Sequence, residues 1–173
     1  MTHRKRKAPE VVPEAGWILV PPFPADPVTR PFLTGDSERV RVAFFRKEGS
    51  DLIYGRAWFG PGAQGPPGTA HGGSIASVLD EAMGAWCWIH GHRVVAASLT
   101  AHFRKRLPLG TDGRVEAWIE KIEGRKLYAK GRLFGEDGQN FAESEGLFIE
   151  LTADQFADIL EKADRASWAG PGA

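Results

Sequence analysis

One segment of helical period constrains the fold of this sequence more than any other feature. From Gly73 onward, apolar residues recur at spacings of three and four, the period of an α-helix that is buried along one side. These residues are Ile75, Val78, Leu79, Ala82, Met83, Trp86 and Ile89. The stretch GPGAQGPPG precedes them and is too rich in glycine and proline for any regular element. The sequence therefore predicts one long helix that begins directly after a loop.

Runs typical of β-strands lie on both sides of this helix. ERVRVAFFR and DLIYGRAWF flank Gly49 and suggest a hairpin. Four further runs follow the helix, as in an antiparallel meander: VVAASLTAHFRKRL, GRVEAWIEKIE, RKLYAKGRLFG and NFAESEGLFIELT. A capping box at Thr152 and Gln155 then opens TADQFADILEKA, which predicts a short C-terminal helix. This order predicts an α+β fold with one central helix on a six-stranded antiparallel sheet.

The length of 173 residues suits one domain with its own core. Seven of the twelve prolines fall within the first 31 residues, and proline has no N–H and a fixed φ. We therefore expect residues 1–35 to form a proline-rich tail or surface wrap. The folded domain is expected to cover residues 36–164, and residues 165–173 to form a C-terminal tail.

Composition excludes several classes of function. Lys plus Arg and Asp plus Glu both number 22, so no net field indicates a nucleic-acid partner. The single cysteine, Cys87, excludes an intramolecular disulfide, and no apolar run is long enough to cross a membrane. MTHRKRKAPE has no apolar stretch behind it, so we expect a cytoplasmic protein with a small-molecule partner. Cys87, His90 and His92 make a poor zinc site, and we expect neither metal nor cofactor.

An acidic pair, Asp80 and Glu81, lies within the helical segment. In a helical projection Asp80 lies about 120° from the centre of the apolar stripe, on a flank that is otherwise formed by small residues. One of them, Gly84, costs a helix on the order of 1 kcal/mol relative to alanine. This pattern favours a close approach of some group to Asp80, whereas Glu81 is placed on the opposite flank. The alternative is a capped amphipathic helix with a solvated face.

Two glycines, Gly72 and Gly73, lie where the helix is predicted to start. A helix N-terminus offers unpaired N–H groups and a partial positive charge, and residues without side chains let a carbonyl oxygen approach them. The pair therefore suggests an oxyanion hole. A loop that needs positive φ would explain the same two glycines equally well.

The motif HGGSIASVLDEAMG after a QGPPG loop resembles the PaaI-like acyl-CoA thioesterases of the hotdog superfamily. That family carries HGG with an Asp or Glu nine positions after the His, and His71 and Asp80 fit this spacing. RKRLPLGT and AESEGLFIEL are similar to the turn after the family's third strand and to its last strand. The resemblance covers roughly residues 38–151.

The resemblance implies a hotdog fold, in which the sheet wraps the long helix, and hydrolysis of an acyl-CoA thioester. It also implies that the Gly72 N–H polarises the thioester carbonyl, and that Asp80 acts as general base or nucleophile. Gln64 lies near the position of an Asn or Gln that orients water or substrate. The family often adds a Ser or Thr early in the third strand, where this chain has Ala96. Ser98, expected on the same strand face, is the candidate replacement.

Further interpretations concern the substrate and the assembly. Arg104 and Arg106 meet the CoA phosphates or lie at a solvated strand end, and Gly73 contacts the substrate. Gly73 and Asp80 are about 10 Å apart along a helix, too far to act on one thioester. We therefore expect a homodimer or a dimer of dimers with shared sites.

The alternatives to an acyl-CoA thioesterase are an acyl-CoA-binding protein without catalysis and a hotdog dehydratase. AESEG around Ser144 is one residue from a serine-hydrolase motif, but it is predicted inside a strand.

Overall fold

A computed structural model describes residues 8–20, 32–33 and 38–165 of the chain. Within these residues one antiparallel sheet of seven strands packs against a long helix, α1, and a second helix, α2, follows the last strand. The strands are β1 (Trp17–Val20), β2 (Val40–Lys47), β3 (Ile53–Phe59), β4 (Val94–Phe103), β5 (Asp112–Glu123), β6 (Lys126–Phe134) and β7 (Asn140–Glu150). The helices are α1 (Gly72–Ile89) and α2 (Ala153–Arg165), with a 3-10 turn at Pro61–Ala63. The α+β architecture with a long central helix is confirmed.

The sheet has one strand more than the six that the sequence predicts. β1 lies within the proline-rich N-terminal segment, in a window free of proline between Pro13 and Pro21. It pairs only with β2, so it is an edge strand, the place where a neighbouring proline is tolerated. Trp17 packs on Phe45 of β2 at a ring-centroid distance of 5.0 Å. Part of the predicted tail or wrap therefore extends the sheet.

The strand order differs from a simple meander of the last four strands. β2 and β3 form the predicted hairpin, and β5, β6 and β7 follow one another in space. β4 does not pair with β5; it lies beyond β7, while β5 pairs with β3. The order of strands along the chain does not show which strands pair, so it cannot reveal such a crossover. Its consequence is that β4, ten residues long, forms the edge of the sheet opposite β1.

The apolar stripe of α1 is buried against the sheet, with three differences from the projection. The buried residues are Ile75, Val78, Leu79, Ala82, Met83 and Cys87. Trp86 is half-buried and Ile89 is 38% exposed, whereas Cys87, one of the small residues that the projection places on the Asp80 flank, is fully buried. Burial raises the pKa of the Cys87 thiol to about 12, so it keeps its proton at neutral pH. The buried face is therefore centred nearer to Asp80 than an ideal helical period places it.

Local signals at the end of the chain are confirmed. Thr152 N–H donates to Gln155 Oε1 over 3.0 Å and Gln155 N–H donates to Thr152 Oγ1 over 3.2 Å, which is the predicted capping box.

Ser144 is buried inside β7 and its hydroxyl donates to the Thr100 carbonyl, so it is not at a strand-to-helix turn. No helix among the described residues is long and apolar enough to cross a membrane.

Candidate active site at the start of the central helix

His71 caps the N-terminus of α1. Its backbone is extended, with φ −68° and ψ 136°, and its Nδ1 accepts a hydrogen bond from the Gly73 N–H over 2.9 Å. The His71 carbonyl accepts from the N–H groups of Ser74 and Ile75. The imidazole thus accepts the N-terminal hydrogen bond that a Ser, Thr or Asp side chain accepts at most helix starts. This bond fixes Nδ1 as an acceptor, so that its ring proton lies on Nε2 when His71 is neutral.

The two glycines at the helix start differ in what their N–H groups bind. The Gly73 N–H is already taken by His71, whereas no acceptor for the Gly72 N–H is found in the part of the chain that the structure describes. Neither glycine has a positive φ, which excludes the loop explanation for the pair. The Gly72 N–H therefore remains as the donor that a carbonyl oxygen could accept from.

Close approach of other side chains explains why both positions are glycine. A Cβ at Gly72 would lie 3.0 Å from the ring tip of Phe103, the last residue of β4. A Cβ at Gly73 would lie 2.9 Å from His71 Nδ1. Sequence reasoning missed Phe103, because only the crossover of β4 brings this residue, 31 positions after Gly72, to the helix start. Its ring lies beside the Gly72 backbone and is 54% exposed.

A cavity of about 340 Å³ opens beside the first two turns of α1. The helix contributes one wall, and the others come from the loop before the helix, the start of β2 and residues 32–33. Its lining consists of Phe32, Leu33, Arg39, Val40, Gly62, Ala63, Gln64, His71, Gly73, Ser74 and Ser77. Three predicted site residues, Gln64, His71 and Gly73, therefore share one cavity.

Gln64 lies at the rim of this cavity, after the 3-10 turn at Pro61–Ala63. Its Oε1 accepts from the Gly68 N–H over 3.2 Å, which bridges the glycine- and proline-rich loop. The side-chain NH₂ group of Gln64 makes no hydrogen bond within the described residues. The position agrees with the predicted role in orienting water or substrate, which stays a prediction.

Asp80 lies on the flank of α1, half-buried, as its place in the helical period predicts. Its Oδ1 is buried and has no hydrogen-bond partner within residues 8–20, 32–33 and 38–165. Burial raises the pKa of the Asp80 carboxyl above its usual value. A carboxylate that is desolvated and unpaired costs stability, and such groups occur at functional sites.

Glu81, on the opposite flank of α1, is also partly buried. It is half-buried, and burial raises the pKa of its carboxyl, with a smaller contribution from the charge of Asp80. Two neighbouring acids on α1 are thus partly withdrawn from water. The helical projection places Glu81 at about the same angle from the apolar stripe as Asp80, on the opposite flank, so the same period accounts for the partial burial of both.

Asp80→Asn is expected to raise the melting temperature at pH 8, because the substitution keeps the shape and removes the charge that burial penalises. A carboxyl with a raised pKa binds more protons in the folded state, so wild-type stability falls as pH rises through the usual value toward the raised one. Below about pH 3, under the usual Asp value, both side chains are neutral and the difference is expected to vanish. Calorimetric melts of both proteins at the two pH values test this. A variant that is less stable at pH 8 would contradict it.

The predicted relation between Ala96 and Ser98 is wrong. Ala96 pairs with Phe148 and Ser98 with Leu147, and the register shift between them leaves Ala97 as a bulge. Phe148 and Leu147 are consecutive on β7 and point to opposite faces of the sheet, so Ala96 and Ser98 do as well. Ala96 lies on the face that carries α1, because its partner Phe148 is buried there. The register thus removes the argument for Ser98 as the replacement hydroxyl.

The basic residues predicted to meet CoA lie just after Phe103. Arg104 Nε and a terminal nitrogen donate to Glu143 Oε2 over 2.9 and 2.8 Å, and this pair is exposed. Arg106 is also exposed and has no ion-pair partner among the described residues. Lys105 Nζ donates to Gln139 Oε1 over 2.6 Å. The strand end thus places basic residues near Phe103, and Arg106 has its charge available.

The structure brings some of the predicted residues together and separates others. His71, Gly72 and Gly73 form the helix start, Gln64 shares its cavity, and Arg104 and Arg106 follow the strand that ends beside it. Asp80 lies eight residues after Gly72 on the same helix, at 1.5 Å per residue. One chain therefore holds an N–H donor and a carboxylate that are about 12 Å apart along the helix axis. No cluster of three or more metal-ligating side chains is found in the described parts of the chain.

Comparisons with known proteins support the resemblance seen in the sequence. Residues 67–142 match the thioesterase superfamily. The mouse acyl-coenzyme A thioesterase THEM5 is 34% identical over 97 residues, which cover 56% of this chain and 39% of that protein. The acyl-coenzyme A thioesterase THEM4 of Xenopus laevis is 37% identical over 93 residues, 53% of this chain and 42% of that protein. The chain thus spans about two fifths of the length of these curated relatives.

Solved structures share the fold. A thioesterase superfamily protein with 27% identity superposes with a TM-score of 0.60, covering 64% of this chain and 54% of its own. The Escherichia coli PaaI protein gives a TM-score of 0.59 at 14% identity, covering 64% and 80%. A Streptococcus mutans protein bound to acetyl-CoA gives 0.56 at 15% identity, covering 59% and 82%. The fold around α1 is therefore the hotdog fold, and residues 67–142 are similar to the thioesterase superfamily.

Proposed function

We propose that this protein hydrolyses acyl-CoA thioesters. The observation that carries the proposal is the half-buried Asp80 carboxylate, whose Oδ1 has no partner in the described residues, on a helix that starts with an open Gly72 N–H. Relatives and neighbours of this segment are named acyl-coenzyme A thioesterases or bind acetyl-CoA, which supports the substrate class.

The reaction needs a base or nucleophile and a group that stabilises negative charge on the carbonyl oxygen. We assign the first part to Asp80 and the second to the Gly72 N–H. As a general base, the carboxylate takes a proton from water while the water oxygen bonds to the carbonyl carbon. The carbonyl then re-forms as the C–S bond breaks, and the protonated Asp80 gives its proton to the leaving CoA sulfur. As a nucleophile, the carboxylate would bond to the carbonyl carbon and expel the CoA thiolate, leaving an anhydride that water cleaves into the free acid and the Asp80 carboxylate. A fixed donor at the oxyanion contributes about 3 to 4 kcal/mol in comparable hydrolases.

The open edge of the sheet supports a site shared by two chains. β4 is exposed along nearly all of its ten residues, and its apolar Val95, Leu99 and Phe103 are 47%, 37% and 54% exposed. Such an edge is a template for pairing with a second strand. A two-fold axis perpendicular to the sheet would pair β4 with its copy and place both α1 helices antiparallel on one face. Gly72 of one chain would then lie opposite Asp80 of the other.

The end of β4 supports a place for the CoA arm. Arg106 has no ion-pair partner among the described residues. Arg104 forms an ion pair with Glu143, but both side chains are exposed, so water competes with this pair. Phosphates attract both side chains. We therefore assign Arg104 and Arg106 to the CoA phosphates.

One observation favours a second candidate, an acyl-CoA-binding protein without catalysis. The helix-facing side of β4 carries Ala96 at the position where the family resemblance implies a hydroxyl, and Ser98 points the other way. A hydratase-type reaction is less supported, because His71 uses Nδ1 to cap the helix and only Nε2 remains for acid–base chemistry.

A panel of acyl-CoAs tests the proposal, with free thiol measured as CoA is released. We expect steady turnover on at least one member of the panel, and turnover lower by a factor on the order of 10² or more in Asp80→Asn. Tight binding of acyl-CoA without thiol release from any member would overturn hydrolysis and favour the binding protein. The same panel with 2-enoyl and 3-hydroxyacyl groups, followed by chromatography, would detect a dehydratase.

A further inference from the structure

We infer that Phe103 is a positioning residue for the hydrolysis: its ring shields the Gly72 N–H from water and so strengthens this N–H as the donor to the carbonyl oxygen. The inference rests on the proposed function, since it assigns a further residue to the same site. It is carried by the single open donor at the helix start, by the direction of the ring and by the exposure of the ring.

The first turn of α1 leaves one N–H group open. The N–H of Gly73 donates to His71 Nδ1, and those of Ser74 and Ile75 donate to the His71 carbonyl, whereas the N–H of Gly72 has no acceptor within the described ranges. A donor in contact with water is already hydrogen-bonded to water, so exchanging that water for a carbonyl oxygen yields little. Because one donor carries the oxyanion, its surroundings decide how strongly the oxyanion is stabilised.

The ring of Phe103 points at the end of the helix where this N–H lies. Phe103 pairs with the fully buried Ala142, so its side chain lies on the sheet face that carries α1. Apart from the helix backbone and the chain neighbours of Gly72, the atoms nearest to a Cβ at Gly72 are the tip of this ring, Cζ at 3.0 Å and Cε1 and Cε2 at 3.4 Å. In a helix the Cα–Cβ bonds tilt toward the N-terminus, the end at which the unpaired N–H groups lie. The ring tip therefore covers one side of the Gly72 N–H.

The exposure of the ring fits a role at the site better than a role in the core. Phe103 is 54% exposed at the end of the edge strand β4, so it buries little apolar area against its own chain. A carbonyl oxygen at the Gly72 N–H would lie beside this ring, which has no oxygen or nitrogen atom to compete for the donor. A hydrocarbon wall also lowers the local dielectric constant, which strengthens the attraction between the N–H and the oxyanion.

Phe103→Ala tests the inference through kcat and KM, with Val95→Ala as the matched control. Val95 is 47% exposed on the same strand and pairs with Ile149, on the sheet face away from α1. We expect Phe103→Ala to lower kcat roughly tenfold, part of the factor on the order of 10²–10³ that loss of a whole oxyanion donor costs. The KM is expected to stay within about twofold, because the shielding acts on charge that develops in the transition state. Phe103→Leu, which keeps an apolar cover, and Val95→Ala are expected to lose less than about threefold.

Exchange of the Gly72 amide with water gives a readout that does not depend on activity. In protein with isotope-labelled glycine, NMR identifies the Gly72 signal by its loss in Gly72→Pro, and the Gly73 signal because glycine follows glycine only there. We expect the Gly72 amide to exchange roughly threefold faster or more in Phe103→Ala, while the Gly73 amide, bonded to His71 Nδ1, keeps its rate. Equal acceleration of both amides would mean that the helix start has frayed, and would overturn the inference in favour of a structural role.

Two kinetic results would also overturn the inference while hydrolysis stands: a raised KM with an unchanged kcat in Phe103→Ala, or an equal loss of kcat in Val95→Ala. If Phe103→Ala does not fold, Phe103→Leu and Phe103→Asn make the same comparison, because these side chains are similar in size and only asparagine binds water. A lower kcat in the asparagine variant supports shielding, and equal kcat values overturn it. If wild type hydrolyses no acyl-CoA, the proposed function fails and the exchange rates decide alone: faster exchange of the Gly72 amide in Phe103→Ala supports shielding, and equal rates overturn it.

Discussion

Asp80→Asn is expected to lower kcat by a factor on the order of 10² or more while the protein stays folded. The amide has the size of the carboxyl but can neither accept a proton from water nor attack the carbonyl. The KM for the acyl-CoA is expected to change little, because the lost interaction is made only in the transition state. The measurement is steady-state thiol release on the best substrate of the panel, with circular dichroism as the check on folding.

Glu81→Gln is the matched control for this substitution. Glu81 also has a carboxyl with a pKa raised by burial, so a general effect of neutralising a desolvated acid on α1 would be seen in both variants. We expect Glu81→Gln to leave kcat within a few-fold of wild type. The helix-face assignment is wrong if Glu81→Gln is the more severe of the two.

Mixing two inactive variants, Asp80→Ala and Gly72→Pro, is expected to restore about a quarter of wild-type activity. If each site takes its N–H from one chain and its carboxylate from the other, random pairing makes half of the dimers mixed. Each mixed dimer has one doubly damaged site and one intact site, which gives the quarter. Recovered thiol release after subunit exchange is the measurement.

The structure indicates that Gly72→Pro is a usable partner in this experiment. Gly72 is the first residue of α1, where proline is well tolerated, and the ψ of 136° at His71 suits a residue before proline. A Cβ at Gly72 would lie 3.0 Å from the ring of Phe103, a side chain that is 54% exposed, so this ring must shift by a few tenths of an ångström. Both parents must be folded, and exchange must be demonstrated with differently tagged chains. Under those conditions, a mixture that stays inactive would contradict the shared site.

The helix start and the Asp80 flank could be predicted because both depend on short-range periodicity. A period of 3.6 residues places Asp80 beside the buried stripe wherever the sheet lies, and a capping box such as Thr152 with Gln155 needs only four consecutive residues. The two glycines could be recognised, although not which N–H remains open, since that depends on the ring nitrogen of His71.

Other features depend on contacts between distant segments. The bulge between Ala96 and Ser98 shifts the alternation of side chains between the two sheet faces by one residue, and nothing in the amino-acid sequence marks it. Counting residues along the strand therefore assigns Ser98 to the wrong face. Phe103 reaches Gly72 only because β4 crosses to the far side of β7. The cavity combines residues from four separate parts of the chain, among them Leu33 and Ser77, and no window of sequence contains them together.

The short strand β1 also decides how far a sheet of this kind can grow. One edge of the sheet is closed by a strand of four residues that leads into proline, which offers little to an incoming chain. The other edge, β4, has ten residues available. If two chains pair through β4 as proposed, the two-fold contact covers both long edges, and the short edge strands that remain offer little for further pairing. On that model, a segment that looks like a tail by its proline content would limit the assembly to two chains.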